Sequence, residues 1–256
     1  MRIVIKVGTS TLAHETGRLN IRRIEQLCKV ISDLKNSGHE IILVSSGAIG
    51  MGVGKLGLDG RPSDIASKQA AAAVGQCELM YTYDKLFSEY NHTVGQILIT
   101  GLDLETPDRC LNFENTLYKL LEFGALPIIN ENDTVSTDEI EIGDNDTLSA
   151  IIASGIKADL LILLSDIDGL YDKNPKKSHD AKLLPVVEKI TPEIIALADG
   201  KGSLGTGGMT TKINAARMAV SAGCDMIISN GSKPELLYDI VEGKPVGTRF
   251  LKEEKK

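Results

Sequence analysis

Residues 2–10 read Arg2-Ile3-Val4-Ile5-Lys6-Val7-Gly8-Thr9-Ser10. Three apolar β-formers precede Lys6 and Val7 follows it, so the run reads as a strand buried on both faces rather than an alternating surface strand. Such strands belong to parallel sheets covered by helices, which makes this segment the first strand of an α/β fold. A buried ammonium is costly unless it meets an anion. Gly8 lets backbone approach a ligand closely, and Thr9 and Ser10 favour a turn or helix start. Lys6 therefore has two readings: a phosphate-holding cation at the carboxyl end of a strand, or a strand-end lysine snorkelling to water.

Outward from this run, strand and helix patterns alternate along most of the 256 residues. Asn20 reads as the N-cap of a helix with Ile21, Ile24, Leu27, Val30, Ile31 and Leu34 on one face, stopped by Gly38. Further strands are expected at 41–44, 93–99, 126–130, 159–164, 225–228 and 247–251, and helices at 63–90, 112–123, 147–154 and 208–222, with short ones after Thr191 and Pro234. Residues 135–142 alternate apolar and polar with acids between, which predicts an exposed hairpin. The pattern predicts one three-layer αβα sandwich around a mostly parallel sheet, with no repeat or linker.

Composition narrows the function. A net charge of −7 and a pI near 5.2 lack the basic face of a nucleic-acid binder. Hydrophobic content of 42% suits a globular enzyme, and the length allows about 70–75% of the unfolded surface to be buried. Cys28, Cys77, Cys110 and Cys224 form no CxxC pair and the four histidines no zinc spacing, so packed reduced thiols and no protein-held metal are expected. A strand from residue 2 is unlike a signal peptide, and no apolar run reaches membrane length, so the expected location is the cytoplasm.

Five segments carry candidate chemistry, four of them just past a predicted strand, where an open α/β sheet places its ligand crevice. They are Lys6–Ser10, Ser45-Ser46-Gly47, Asn130-Glu131-Asn132-Asp133, Gly143-Asp144-Asn145-Asp146 and Gly205-Thr206-Gly207-Gly208-Met209-Thr210-Thr211-Lys212. The second and third also read as plain loops, and helix capping accounts for one acid of the fourth. In the fifth, glycine amides, threonine hydroxyls and a helix start converge on an anion, with Lys212 one turn inside the helix. Two lysines in separate anion sites with carboxylates between them are the minimum equipment for phosphoryl transfer.

Two motifs are decoys. Gly52-Val53-Gly54-Lys55-Leu56-Gly57 matches GxGxxG but lies past the strand end, opens no clear helix and has no strand-end acid about 20 residues on. It reads as a loop, which leaves a dinucleotide enzyme without support. The only lysine followed by Ser or Thr is Lys177, with no glycine before it, so a Walker A loop is excluded.

With these segments in this order, the chain resembles the amino-acid kinase family over its whole length. Ala66-Ser67-Lys68-Gln69, Val74-Gly75-Gln76 and Ser165-Asp166 add to the likeness. The Asn130–Asp133 and Gly143–Asp146 segments fit the branch acting on glutamate better than cousins acting on aspartate, acetylglutamate, carbamate or UMP. The resemblance implies ATP-dependent phosphorylation of the L-glutamate side-chain carboxylate to L-glutamyl 5-phosphate, the first step of proline biosynthesis. It implies that Lys6 and Lys212 stabilise the transferring phosphoryl, that Asp146 orients both, and that Gly8 and Gly47 give amides to phosphate oxygens. It assigns Ser46, Asp133 and Asn145 to glutamate, and Ser165, Asp166, Thr206, Gly207, Gly208, Met209, Thr210, Thr211 and Lys212 to ATP. Mg²⁺ would be held mainly by the nucleotide. The resemblance also implies a single domain with a substrate half at about 1–155 and a nucleotide half at about 156–256. Ser165 stands where many relatives have threonine, which keeps the hydroxyl. The family further implies a homo-oligomer, dimer or tetramer, and proline as a feedback inhibitor. Longer members carry a PUA domain, which the short form is expected to lack. A non-catalytic amino-acid sensor on the same scaffold is the alternative, though such sensors usually lose a catalytic charge.

Overall fold

In a computed structural model, the structure describes all residues except 15, 17, 136–143, 176, 177, 179, 199–207 and 254–256. The first strand is β1 (Arg2–Val7), followed by a single-turn helix α1 (Thr9–Leu12) and by α2 (Ile21–Asn36). Asn20 caps α2 by accepting from the Arg23 amide at 3.2 Å, as its position suggests. Next come β2 (Glu40–Ser45), α3 (Ala48–Leu56), α4 (Ile65–Ser88), β3 (Val94–Ile99), α5 (Gly101–Glu105), α6 (Pro107–Glu122) and β4 (Leu126–Glu131). The remainder is α7 (Asn145–Gly155), β5 (Leu160–Ser165), β6 (Val186–Val187), α8 (Pro192–Ala196), α9 (Met209–Ser221), β7 (Asp225–Asn230), α10 (Leu236–Val241) and β8 (Thr248–Phe250).

The strands form one eight-stranded sheet in the order β3-β4-β2-β1-β5-β7-β8-β6. All pairings from β3 to β7 are parallel, and β8 runs antiparallel to β7. β1 is central, and the chain builds outward from it in one direction through β2 and in the other through β5. The order reverses at this point, so a crevice opens outside the carboxyl ends of β1 and its neighbours.

Strand alternation explains the three layers. Ile3, Ile5 and Val7 join residues of α2 and α4 in one core. Val4, Ile42, Val44, Leu161 and Leu163 face the other way, into a second core with α6, α7 and α9. Lys6 shares the parity of Val4, so its side chain projects toward the α7–α9 layer. The expected αβα sandwich is thus the observed one, and the sheet runs unbroken between the two halves.

The GxGxxG segment is a correction. It forms most of α3, not a loop. Its glycine has a packing reason: a Cβ at Gly52 would lie 1.8 Å from the Ala71 carbonyl oxygen, and one at Gly75 equally close to that of Ala48. α3 and α4 therefore touch backbone to backbone. Gly57 ends α3 in the left-handed region at φ +66°. The expected hairpin at 135–142 falls, apart from Val135, outside the described residues.

Candidate active site

Lys6 and Lys212 come from opposite ends of the sequence and meet on one carboxylate. Lys6 Nζ lies 2.6 Å from Asp146 Oδ1, and Lys212 Nζ lies 3.0 Å from Asp146 Oδ2. All three are buried: Lys6 is 9% exposed, Lys212 5% and Asp146 1%. Each position follows from local structure. Lys6 is the penultimate residue of β1, Asp146 stands in the first turn of α7, and Lys212 stands in the first turn of α9. Asp144 starts α7 by accepting from the Thr147 amide at 2.9 Å, so the helix begins earlier than its apolar pattern indicates. Tight packing by Ala215, Ala216 and Ala219, all wholly buried, brings α9 against α7.

Burial by itself would raise the Asp146 carboxyl, but the Lys6 and Lys212 charges outweigh it and hold the group below the ordinary carboxylate range. Asp144 goes the other way: burial raises it, and the neighbouring Asp146 charge adds to that rise against the Thr147 amide. The Thr211 hydroxyl hydrogen bonds the Gly208 carbonyl at 2.8 Å and reaches Asp146 Oδ2 at 3.3 Å. Two helix N-termini, those of α7 and α9, thus converge where two ammonium groups share one carboxylate. A site of that kind attracts an anion.

Gly8 leaves open space beside this pair of lysines. Its backbone, at φ −84° and ψ 160°, is open to any residue, and a Cβ there would meet nothing closer than Lys6 Nζ at 3.6 Å. Neither strain nor crowding in the protein calls for glycine at this position. A side chain would instead fill the space beside the Lys6 ammonium. Gly47 is different: it caps α3 at φ +109°, a conformation that favours glycine.

A second cluster adjoins the first. Asn145, next to Asp146, donates from Nδ2 to Ser46 Oγ at 2.8 Å and to Asn130 Oδ1 at 2.9 Å. Asn130 in turn donates to Gln76 Oε1 at 3.0 Å. Ser46 is fixed by its amide, which donates to the Val7 carbonyl at 3.0 Å. Asp133 lies half-buried in the turn after β4. On the far side of β1, Ser165 ends β5 and donates to the exposed Asp166 carboxylate at 3.1 Å. Met209 and Thr210 open α9, and Gly208 caps it. Thr206 and Gly207 lie outside the described residues. The sequence marks Gln76 only as part of the Val74-Gly75-Gln76 segment of the family resemblance and gives it no role. Among the described residues, no group of three or more His, Cys, Asp or Glu side chains is placed to hold a metal ion. No helix of the described residues is long and apolar enough to cross a membrane.

Two buried cations on one carboxylate, at the rim of a parallel sheet and facing two helix starts, define a phosphoryl-transferring enzyme of the αβα class. The chain belongs to the Amino acid kinase family, which matches residues 1–230. It is 55% identical over 255 residues to a glutamate 5-kinase from Clostridium perfringens, covering 98% of this chain and 95% of that one. A glutamate 5-kinase from Clostridium tetani is 57% identical over 249 residues, covering 97% and 93% of the two chains. Among solved structures, carbamate kinase from Giardia lamblia bound to AMP-PNP superposes with a TM-score of 0.69 at 18% identity. It covers 98% of each chain and shares the fold.

Proposed function

We propose that this chain phosphorylates the side-chain carboxylate of L-glutamate with ATP, giving L-glutamyl 5-phosphate and ADP, the entry step of proline biosynthesis. The observation that carries the reading is the Lys6–Asp146–Lys212 triad. It supplies the electrostatics of phosphoryl transfer, in a chain more than half identical along its length to proteins named glutamate 5-kinase.

The attacking group is a carboxylate, already ionised near neutral pH, so no general base is needed. Rate then comes from positioning and charge stabilisation. Lys6, held at the end of β1, and Lys212, at the start of α9, receive the oxygens of the migrating phosphoryl. Asp146 keeps both amines aimed at that point. Gly8 leaves room beside Lys6 and gives its amide to a phosphate oxygen, as does Gly47. Ser46, Asn145 and Asp133 hold glutamate, with Asp133 facing its ammonium. Ser165, Asp166 and residues 206–212 take the nucleotide. The half before residue 155 thus serves the acceptor and the half after it the donor. Mg²⁺ carried by the nucleotide phosphates would neutralise charge between them.

The test is release of ADP. With Mg²⁺-ATP, release should depend on L-glutamate; turnover with aspartate or UMP but not glutamate would move the chain to another branch of the family. Binding of glutamate by calorimetry without any turnover would favour the sensor. A homo-oligomer, inhibition by proline and a cytoplasmic location complete the proposal, and rest on the family resemblance. Sedimentation, ADP release with added proline, and fractionation of the source cells test them in turn.

A further inference from the structure

We infer that Gln76, which is joined to the candidate site through Asn130, is a positioning residue that sets the polarity of the acceptor pocket. The inference rests on the glutamate reading of that pocket. α4 lies on the opposite face of the sheet from Lys6, yet two of its polar side chains bond residues at the carboxyl ends of β2 and β4. Gln76, 8% exposed, accepts from Asn130, and Tyr83, wholly buried and two turns further on, hydrogen bonds Ser45 at 2.9 Å. Asn130 and Ser45 are the inner neighbours of Asn145 and Ser46.

Three amides in series have a direction. Gln76 Oε1 accepts, so the Asn130 Nδ2 group turns toward α4 and Asn130 Oδ1 turns toward Asn145. Asn145 must then present its NH₂ inward, where one hydrogen meets Asn130 and the other meets Ser46 Oγ. Two consequences follow from the donor inventory. Asn145 Oδ1 remains as an acceptor for the crevice. Ser46 Oγ, already accepting, keeps its own hydrogen to donate. One acceptor beside one donor matches an ammonium beside a carboxylate, the α-carbon substituents of a free amino acid. Reverse the series, and Asn145 would offer its NH₂ to a cation.

The close approach of α3 and α4 supports the relay. Gly75, adjacent to Gln76, lets α4 rest on the Ala48 carbonyl, so Gln76 reaches Asn130 across a gap that a methyl group would widen.

Steady-state kinetics of Gln76→Leu and Gln76→Glu test the inference. Gln76→Leu removes the acceptor, and the KM for glutamate should rise by about ten- to a hundredfold. The KM for ATP and kcat should change by less than about threefold. Gln76→Glu, which keeps an acceptor, should restore the glutamate KM. With glutarate, which keeps the carboxylate but lacks the ammonium, the leucine variant should lose less in KM than it does with glutamate. Independently of any substrate, side-chain amide hydrogen exchange at Asn130 and Asn145, read by NMR, should quicken in Gln76→Leu and slow again in Gln76→Glu. The inference is overturned by an unaltered glutamate KM with unaltered amide exchange. It is equally overturned by a uniform loss in kcat and both KM values with no rescue by Gln76→Glu. Failure of the unaltered protein to use glutamate would sink the glutamate reading alone, because amide exchange still reports on the relay.

Discussion

Lys6 and Lys212 touch opposite oxygens of the same carboxylate, Asp146, at 2.6 and 3.0 Å, although one belongs to the first strand and the other to the ninth helix. The sharing makes a specific prediction about non-additivity. Lys6→Met and Lys212→Met should each lower kcat by about a thousandfold or more, from loss of charge stabilisation at the transferring group. The double variant should be little worse than either single one, because residues acting as a unit do not add. Circular dichroism of each variant should match the unaltered protein; independent, multiplying losses would separate the two lysines functionally.

Gly8 and Gly75 should respond oppositely to the same change. At Gly8 a methyl group meets no protein atom within 3.6 Å, and the backbone is extended. Gly8→Ala should leave the melting temperature unchanged or slightly raised, yet cut turnover by at least about tenfold by intruding beside the Lys6 ammonium. At Gly75 the methyl would lie 1.8 Å from a backbone oxygen of α3. Gly75→Ala should cost about 1–3 kcal/mol of stability, read from urea unfolding. A Gly8→Ala protein with normal turnover would remove the glycine from the proposed phosphate site.

Much of this was legible in the chain before any coordinates. The apolar run around Lys6 gave the buried central strand, and the strand-end positions of Lys6, Ser46, Asn130 and Ser165 gave the crevice, because parallel sheets leave little choice of where ligands bind. What stayed hidden was tertiary. The glycines of residues 52–57 carry no mark that distinguishes a phosphate loop from a helix packed backbone to backbone on its neighbour. That distinction resides in Ala71, outside the motif. Likewise Gln76, quoted only within the Val74-Gly75-Gln76 segment, has no role until Asn130 is placed beside it. Asn145 seemed to precede its helix because Asp144, as N-cap, starts the helix before the apolar pattern does.

The two acids of α7 should leave opposite marks on stability as pH changes. Asp146 is held below the ordinary carboxylate range, so the unfolded chain binds its proton first and the folded state is favoured above that range. That contribution should disappear as pH falls through the lowered value. Asp144 is raised, so the folded chain binds its proton first, and stability is lost as pH rises from about 4 toward the raised value. Accordingly, the stability advantage of the unaltered protein over Asp146→Asn should shrink on acidification. Its difference from Asp144→Asn, a substitution that keeps an N-cap side chain, should move in the protein's favour. Urea unfolding at a series of pH values reads both; parallel trends for the two variants would contradict the assigned shifts.

The four thiols should be modified in an order set by burial. Cys77 is exposed on α4 and Cys110 is half-buried on α6, whereas Cys28 and Cys224 are buried. Burial pushes the Cys224 thiol up to about 12, with the Asp225 charge adding to it, and raises Cys28 further still. A thiol reacts as its thiolate, so both should resist iodoacetamide at pH 8 while the fold is intact. Mass spectrometry should find Cys77 alkylated first and Cys110 more slowly, with Cys28 and Cys224 labelled only once urea unfolds the chain. Because Cys77 follows Gln76 on α4 with its side chain turned to solvent, labelling it should leave the glutamate KM in place. Early labelling of Cys224 in folded protein would mean that the strand-start edge of β7 opens under native conditions, contrary to the packing of α9 against it.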